Sequence, residues 1–185
     1  MFFFLSFICC QVVTDESILM TKQTYGETRR DLSVDGNPLT IAGVPYSIGI
    51  GTHATSQIPV TVLTDMKAIS GACGIDDEVG KSDASVIFRI VTGSEVLWES
   101  DVKHYGDHPS TFFVQIPAGC KKIYLIADEY DTNSNDHADW VNLRWEPFIP
   151  LSYVQPTYQL PNTPQLVPGS TKDSGPLLRK LISQA

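Results

Sequence analysis

Three short polar stretches hold most of the side chains able to do chemistry. In Gly49-Ile-Gly-Thr-His-Ala-Thr-Ser56, His53 and Thr52 offer directional hydrogen bonds beside glycines that relax the backbone. A lone histidine in such a loop is also an ordinary structural hydrogen-bonder. In Gly74-Ile-Asp-Asp-Glu-Val-Gly80, the acids Asp76, Asp77 and Glu78 stand in succession. Such a run suits a solvated turn; the functional reading is that one acid serves a ligand while another braces a neighbour. The third stretch, residues 127–140, carries Asp128, Asp131, Asn133, Asn135 and Asp136, then His137, Asp139 and Trp140, with no basic residue. It can bind a metal, bind a sugar, or be a solvated loop.

Calcium takes hard oxygen ligands, which Asp128, Asp131, Asn133, Asn135 and Asp136 supply. The spacing nevertheless departs from the twelve-residue calcium loop, which wants glycine at its sixth place and glutamate at its twelfth. Zinc fits less well, because no second His or Cys stands at ligand distance from His137 and Asp139. A nucleophile elbow and a glycine-rich phosphate loop are absent, and the chain is a short scaffold for a glycosidase carboxylate pair. Sugar recognition suits Asn135-Asp-His-Ala-Asp-Trp140 better: an indole face stacks on pyranose C–H groups while Asp, Asn and His take the hydroxyls. Trp140 is equally well read as a core anchor at the start of a strand.

The elements that position these stretches read as β-strands. Val44-Pro-Tyr-Ser-Ile-Gly-Ile-Gly51 places Tyr46, Ile48 and Ile50 at alternate positions. Further strands are expected over 57–63, with Pro59 marking an edge or a strand start, and over 67–75, 84–91, 95–100, 111–116, 122–127 and 140–145. Residues 84–91 give the clearest strand, rich in β-branched and aromatic side chains. No stretch of this region keeps a helical period. Short strands with turns every eight to twelve residues predict an all-β protein, an antiparallel jelly-roll β-sandwich.

Net charge is −8, with no basic run, which argues against nucleic acid as a partner. The apolar start Met-Phe-Phe-Phe-Leu-Ser-Phe-Ile-Cys-Cys10 is too short for a transmembrane helix. Residues 1–13 read as a signal segment, which implies a secreted or extracytoplasmic protein. Cys73 and Cys120 sit among apolar residues and are expected as free thiols rather than a disulfide. Residues 147–185 read as a Pro-rich linker and tail, ending in about two turns of amphipathic helix over 176–185. The folded module is therefore expected over 20–146.

The ordered strings Leu32-Ser-Val-Asp-Gly-Asn-Pro-Leu-Thr-Ile-Ala-Gly43, Gly49-Ile-Gly-Thr-His-Ala-Thr-Ser56, Gly74-Ile-Asp-Asp-Glu-Val-Gly80 and Asn135-Asp-His-Ala-Asp-Trp140 resemble the NPCBM domain across about residues 20–146. The resemblance implies a galactose-binding-like sandwich that is non-catalytic and binds glycans, galactose-containing ones among them. It also implies a glycoside hydrolase, attached or partner, that the module targets to its substrate, and a structural calcium. By position it carries a ligand-binding role to His53, Asp76, Asp77, Glu78, Asn135, Asp136, His137, Asp139 and Trp140. Two positions depart from the family: Tyr25 stands where a tryptophan is common, and Glu129-Tyr130 replaces small residues. The competing expectation is a structural or protein-interaction sandwich of a secreted protein that binds no sugar.

Overall fold

The computed structural model describes residues 11–93 and 95–150. The expected signal segment up to residue 10, the tail beyond 150 and its terminal helix lie outside the described residues. After the short helix α1 (Asp15–Leu19), the strands are β1 (Lys22–Gln23), β2 (Arg29–Arg30), β3 (Thr40–Ile41), β4 (Val44–Pro45), β5 (Gly49–His53), β6 (Ser56–Thr61) and β7 (Ala68–Ile75). They continue as β8 (Ser85–Thr92), β9 (Glu95–Glu99), β10 (Lys103–His104), β11 (Ser110–Gln115), β12 (Lys122–Glu129) and β13 (His137–Glu146), with a 3-10 turn at Asp77–Val79.

Two antiparallel sheets face each other. One runs β1-β6-β12-β8-β10, with β9 also on β8; the other runs β11-β7-β13-β5-β2. Both draw strands from distant parts of the chain, so the expected antiparallel sandwich is what forms. Alternation explains the core between the sheets. Ile123, Leu125 and Ala127 of β12 and Val86, Phe88 and Ile90 of β8 point inward to meet Ile69, Cys73 and Ile75 of β7 and Ala138 and Trp140 of β13. Pro59 sits where β6 is paired only with β12, because β1 reaches no further than Gln57. A missing N–H is tolerated on that open side.

Val12 and Val13 are buried in the same core, ahead of the expected boundary at residue 20. Thr14 caps α1 behind them by accepting the Ser17 N–H. The strand expected over 44–51 is divided: 44–45 pairs with β3, β5 begins at Gly49, and Ile48 is exposed. Alternation alone missed this because residues 31–46 do not join a main sheet but lie across the outer face of β5, β13 and β7. Two glycines permit that approach. A Cβ on Gly51 would stand 2.4 Å from Leu32 O, and one on Gly74 would stand 2.7 Å from Ile41 Cγ2. Leu39, Ile41, Ala72 and Val141 close a second small core beneath this cover.

Cys73 and Cys120 are free thiols, as expected, and burial pushes the Cys73 thiol up.

Candidate functional site

Residues 127–140 are less of a loop than their composition suggests. β12 runs through Glu129, and β13 begins at His137, so the connection is only residues 130–136. The extension of β13 sets His137 directly opposite His53 on β5, with ring centroids 5.4 Å apart. The next residues on that face are Asp139 on β13 and Gly51 on β5, whereas Ala138 and Trp140 turn to the core.

Around the two histidines lies an open pocket of about 630 Å³, lined by Thr24, Tyr25, Asp35, His53, Glu78, Val79, Asn133, Ser134, Asn135 and His137. Four separate connections converge there. Tyr25 projects from the β1–β2 link, 61% exposed, with its ring 5.1 Å from that of His53 and edge-on to it. Asp35 comes from the turn over 33–37, Glu78 from the 3-10 turn, and Asn135, in a left-handed conformation at φ 61°, from the β12–β13 loop.

The polar groups are held in defined states. His53 Nδ1 donates to Ala54 O at 2.6 Å, and burial lowers its pKa, which keeps the ring neutral at neutral pH. His137 Nδ1 donates to Glu78 Oε1 at 2.6 Å. Both rings therefore carry a proton on Nδ1, and in the neutral His53 ring this leaves Nε2 as an acceptor. Glu78 Oε2 accepts from Ser33 Oγ at 2.6 Å and Asn37 Nδ2 at 2.8 Å. Burial pushes the Glu78 carboxyl up, but the hydrogen bonds from Ser33, Asn37 and His137 together outweigh it, and Glu78 titrates below the usual glutamate value.

The acidic run divides by role. Only Glu78 lines the pocket. Asp76 Oδ1 caps the 3-10 turn by accepting Glu78 N–H, and its Oδ2 takes Thr40 N–H. Asp77 takes the N–H groups of Ala42 and Gly43. Asp76 and Asp77 thus fasten the covering segment 31–46 and, through it, the turn that carries Asp35.

Three further expected site residues do not reach the pocket. Trp140 is fully buried, edge-on to Phe88 at 5.1 Å and to Phe112 at 5.9 Å, so its face cannot stack on a sugar. It is the core anchor, because position 140 of β13 points between the sheets. Asp139 is fully buried on the opposite face; neither carboxyl oxygen meets a donor among the described residues. Burial, and then Asp76 beside it, push the Asp139 pKa well up. A protonated Asp139 can donate to the Asp76 carboxylate, and that proton satisfies the pair. Asp136 is also fully buried. Its Oδ1 takes Ser85 N–H at 2.8 Å, while Oδ2 has no partner. Burial, reinforced by Glu129 and Asp83 and opposed by Ser85 N–H, pushes its pKa up to about 7.

The calcium set read from composition does not gather at one point. Asp128 Oδ2 is 2.6 Å from Arg89 Nη1, which already neutralises it, and Asp131, Asn133 and Asn135 are exposed. Asp136 Oδ2 is different: it is a buried carboxylate oxygen with no partner among the described residues, yet the described residues that bring three possible ligand atoms within 4.8 Å of one another are Asp35, Glu78 and His137. Sequence reading passed over Tyr25 and Asp35 as site residues. The aromatic at Tyr25-Gly26 and the Asp35-Gly36-Asn37-Pro38 turn were the available signals, but nothing local says that either faces His53.

Residues 11–146 match the NPCBM/NEW2 domain model. The chain is 44% identical over 92% of its length to Alpha-1,3-galactosidase B of Akkermansia muciniphila, and 34% identical over 74% to a sequence described as an endo-alpha-N-acetylgalactosaminidase of Renibacterium salmoninarum. It spans only 22% and 9% of those two proteins. Among solved structures, it superposes with TM-score 0.63 and 27% identity on CBM51 from Clostridium perfringens GH95 in complex with methyl-galactose, covering 68% of this chain and 91% of that one. The same TM-score and identity relate it to a CBM51-2 and INT structure from Clostridium perfringens ZmpB in complex with GlcNAc, covering 68% of this chain and 28% of that one. The chain belongs to the NPCBM/NEW2 domain family, and its residues 11–146 form a non-catalytic carbohydrate-binding domain.

Proposed function

We propose that the pocket between Tyr25, Glu78 and the His53–His137 pair is the sugar site, and that its ligand is a galactose-type glycan end. The observation that carries this reading is the fixed polar set: the neutral His53 imidazole, the His137 ring and the Glu78 carboxylate, oriented before any ligand arrives and flanked by an exposed aromatic ring. A pyranose presents hydroxyl donors and one apolar face, which acceptors and a ring edge or face can share. The methyl-galactose complex of the CBM51 relative supports the galactose assignment. Asp76, Asp77 and Asp139 act beneath the site as supports.

Within this reading the module brings a glycoside hydrolase, attached or partner, to its substrate, as the galactosidase relative suggests, and it works outside the cytoplasm. No helix among the described residues is long and apolar enough to cross a membrane. A structural calcium is part of this reading, with Asp136 as the buried carboxylate that it would neutralise.

Isothermal titration of the full chain with methyl galactoside, against His53→Ala and Glu78→Gln variants that melt like wild type, tests the site. Binding to wild type and its loss in both variants is expected. A folded chain that binds no sugar on a glycan array would instead favour a structural or protein-interaction module.

A further inference from the structure

The pocket holds more negative than positive charge, because its two carboxylates face at most one charged imidazole, that of His137. Its lining contains the two carboxylates Asp35 and Glu78 and neither lysine nor arginine among the described residues. Glu78 is held ionised by Ser33, Asn37 and His137. Asp35 is half exposed, with Oδ2 4.0 Å from His137 Nδ1. The arginine behind the Asp35 turn, Arg29, spends its guanidinium on Val34 O at 2.9 Å and on Glu27 at 3.4 Å. His53, buried and donating Nδ1 to a carbonyl, adds no positive charge at neutral pH. The chain as a whole carries −8.

A hydroxyl and an acidic substituent therefore meet this pocket differently. A sugar hydroxyl can donate to a carboxylate or to a neutral imidazole. A sulfate ester or a sugar carboxylate has no proton to give at neutral pH; it presents acceptors to acceptors and a like charge to Asp35 and Glu78. We propose that the pocket selects by charge, taking uncharged glycan ends and rejecting ends that carry sulfate or carboxylate. The proposal rests on the pocket being the sugar site. Asp35 is the discriminating residue, because Glu78 is built into the hydrogen-bonded floor whereas no hydrogen bond is formed by the Asp35 carboxylate among the described residues. It follows that, on glycans whose ends are acidic, the reaction class that supplies this ligand is hydrolytic removal of the acidic cap.

Calorimetry on the full chain at pH 7.5 in about 0.15 M salt tests this, at an ionic strength where charges a few ångströms apart still interact. The probes are methyl galactoside, its 3-sulfate and 6-sulfate, methyl galacturonoside, and 6-O-methyl galactoside as a neutral probe with added bulk. The expected result is binding of the neutral sugars and binding of the sulfates and the uronide weaker by about tenfold or more. Asp35→Asn should narrow that ratio and Asp35→Lys should narrow it further, both with unchanged melting temperature. Equal affinity for neutral and anionic probes overturns the proposal while leaving the sugar site intact. So does a 6-O-methyl galactoside that binds as weakly as the 6-sulfate, which makes the discrimination steric, or a ratio that neither Asp35 variant alters. Failure of every probe to bind overturns the sugar site itself, and the proposal with it.

Discussion

His137 Nδ1 and Glu78 Oε1 lie 2.6 Å apart, joining the first residue of β13 to the 3-10 turn across 59 positions of sequence. The bond fixes the ring orientation of one residue and the carboxylate orientation of the other. Ser33 and Asn37 hold the remaining Glu78 oxygen, so the covering segment 31–46, the acidic turn and the central strand meet at one carboxylate.

Glu78→Gln should weaken methyl galactoside binding by about tenfold or more, the scale of losing a charge-assisted hydrogen bond. Because the folded Glu78 pKa is lowered, its ionised form favours the folded state above the unfolded value near 4.3, and that contribution fades as pH falls through the folded value. Because Glu78 titrates below the usual glutamate value, titration calorimetry from pH 7.5 to about 5.5 should show no loss of wild-type affinity through this group. A fall already complete at pH 6.5 would assign the control to another group.

Trp140→Ala should act on stability and not directly on sugar binding. Removing a fully buried indole between Phe88 and Phe112 leaves a cavity and costs about 3–5 kcal/mol. Trp140→Phe should recover much of that and bind galactoside as wild type does at temperatures where both are folded. Selective loss of binding in a Trp140→Phe protein of unchanged melting temperature would return the residue to the site.

Tyr25→Ala, at a side chain 61% exposed, should leave the melting temperature within a degree or two and reduce affinity by severalfold through loss of the ring beside His53. Unaltered affinity would remove Tyr25 from the sugar site.

The Asp139 pKa is raised in the folded state, so the proton it keeps there is lost from the unfolded chain above about pH 4. Its contribution to stability is complete below that value and declines as pH rises toward the folded pKa. Asp139→Asn retains a donor toward Asp76 without the titration, and should flatten the decline in melting temperature between pH 5 and 9. Asp139→Ala removes the donor and should destabilise at every pH. Identical pH profiles for wild type and Asp139→Asn would refute a protonated pair.

Calcium at millimolar concentration should raise the wild-type melting temperature, chelator should reverse the rise, and Asp136→Asn should abolish it. An unchanged melting temperature in wild type would mean that Asp136 is satisfied without a cation.

Periodicity and residue type were enough to predict β8, β12 and the antiparallel sandwich, because an alternating apolar face has to be buried wherever the strand lies. The motif strings were enough to indicate the family and to single out His53, Glu78, Asn135 and His137, all of which line the pocket. Sequence could not divide the acids 76–78 into braces and a ligand group, since that depends on which backbone N–H groups segment 31–46 brings within reach. Nor could it assign Trp140 to the core: position 140 points inward only because β13 begins at His137 and pairs with β5 in one register, and a shift of one residue would reverse every side chain. Tyr25 and Asp35 belong to the site only by long-range proximity. Non-local strand pairing and the cover held by Asp76 and Asp77 decide that proximity, and no local pattern encodes it.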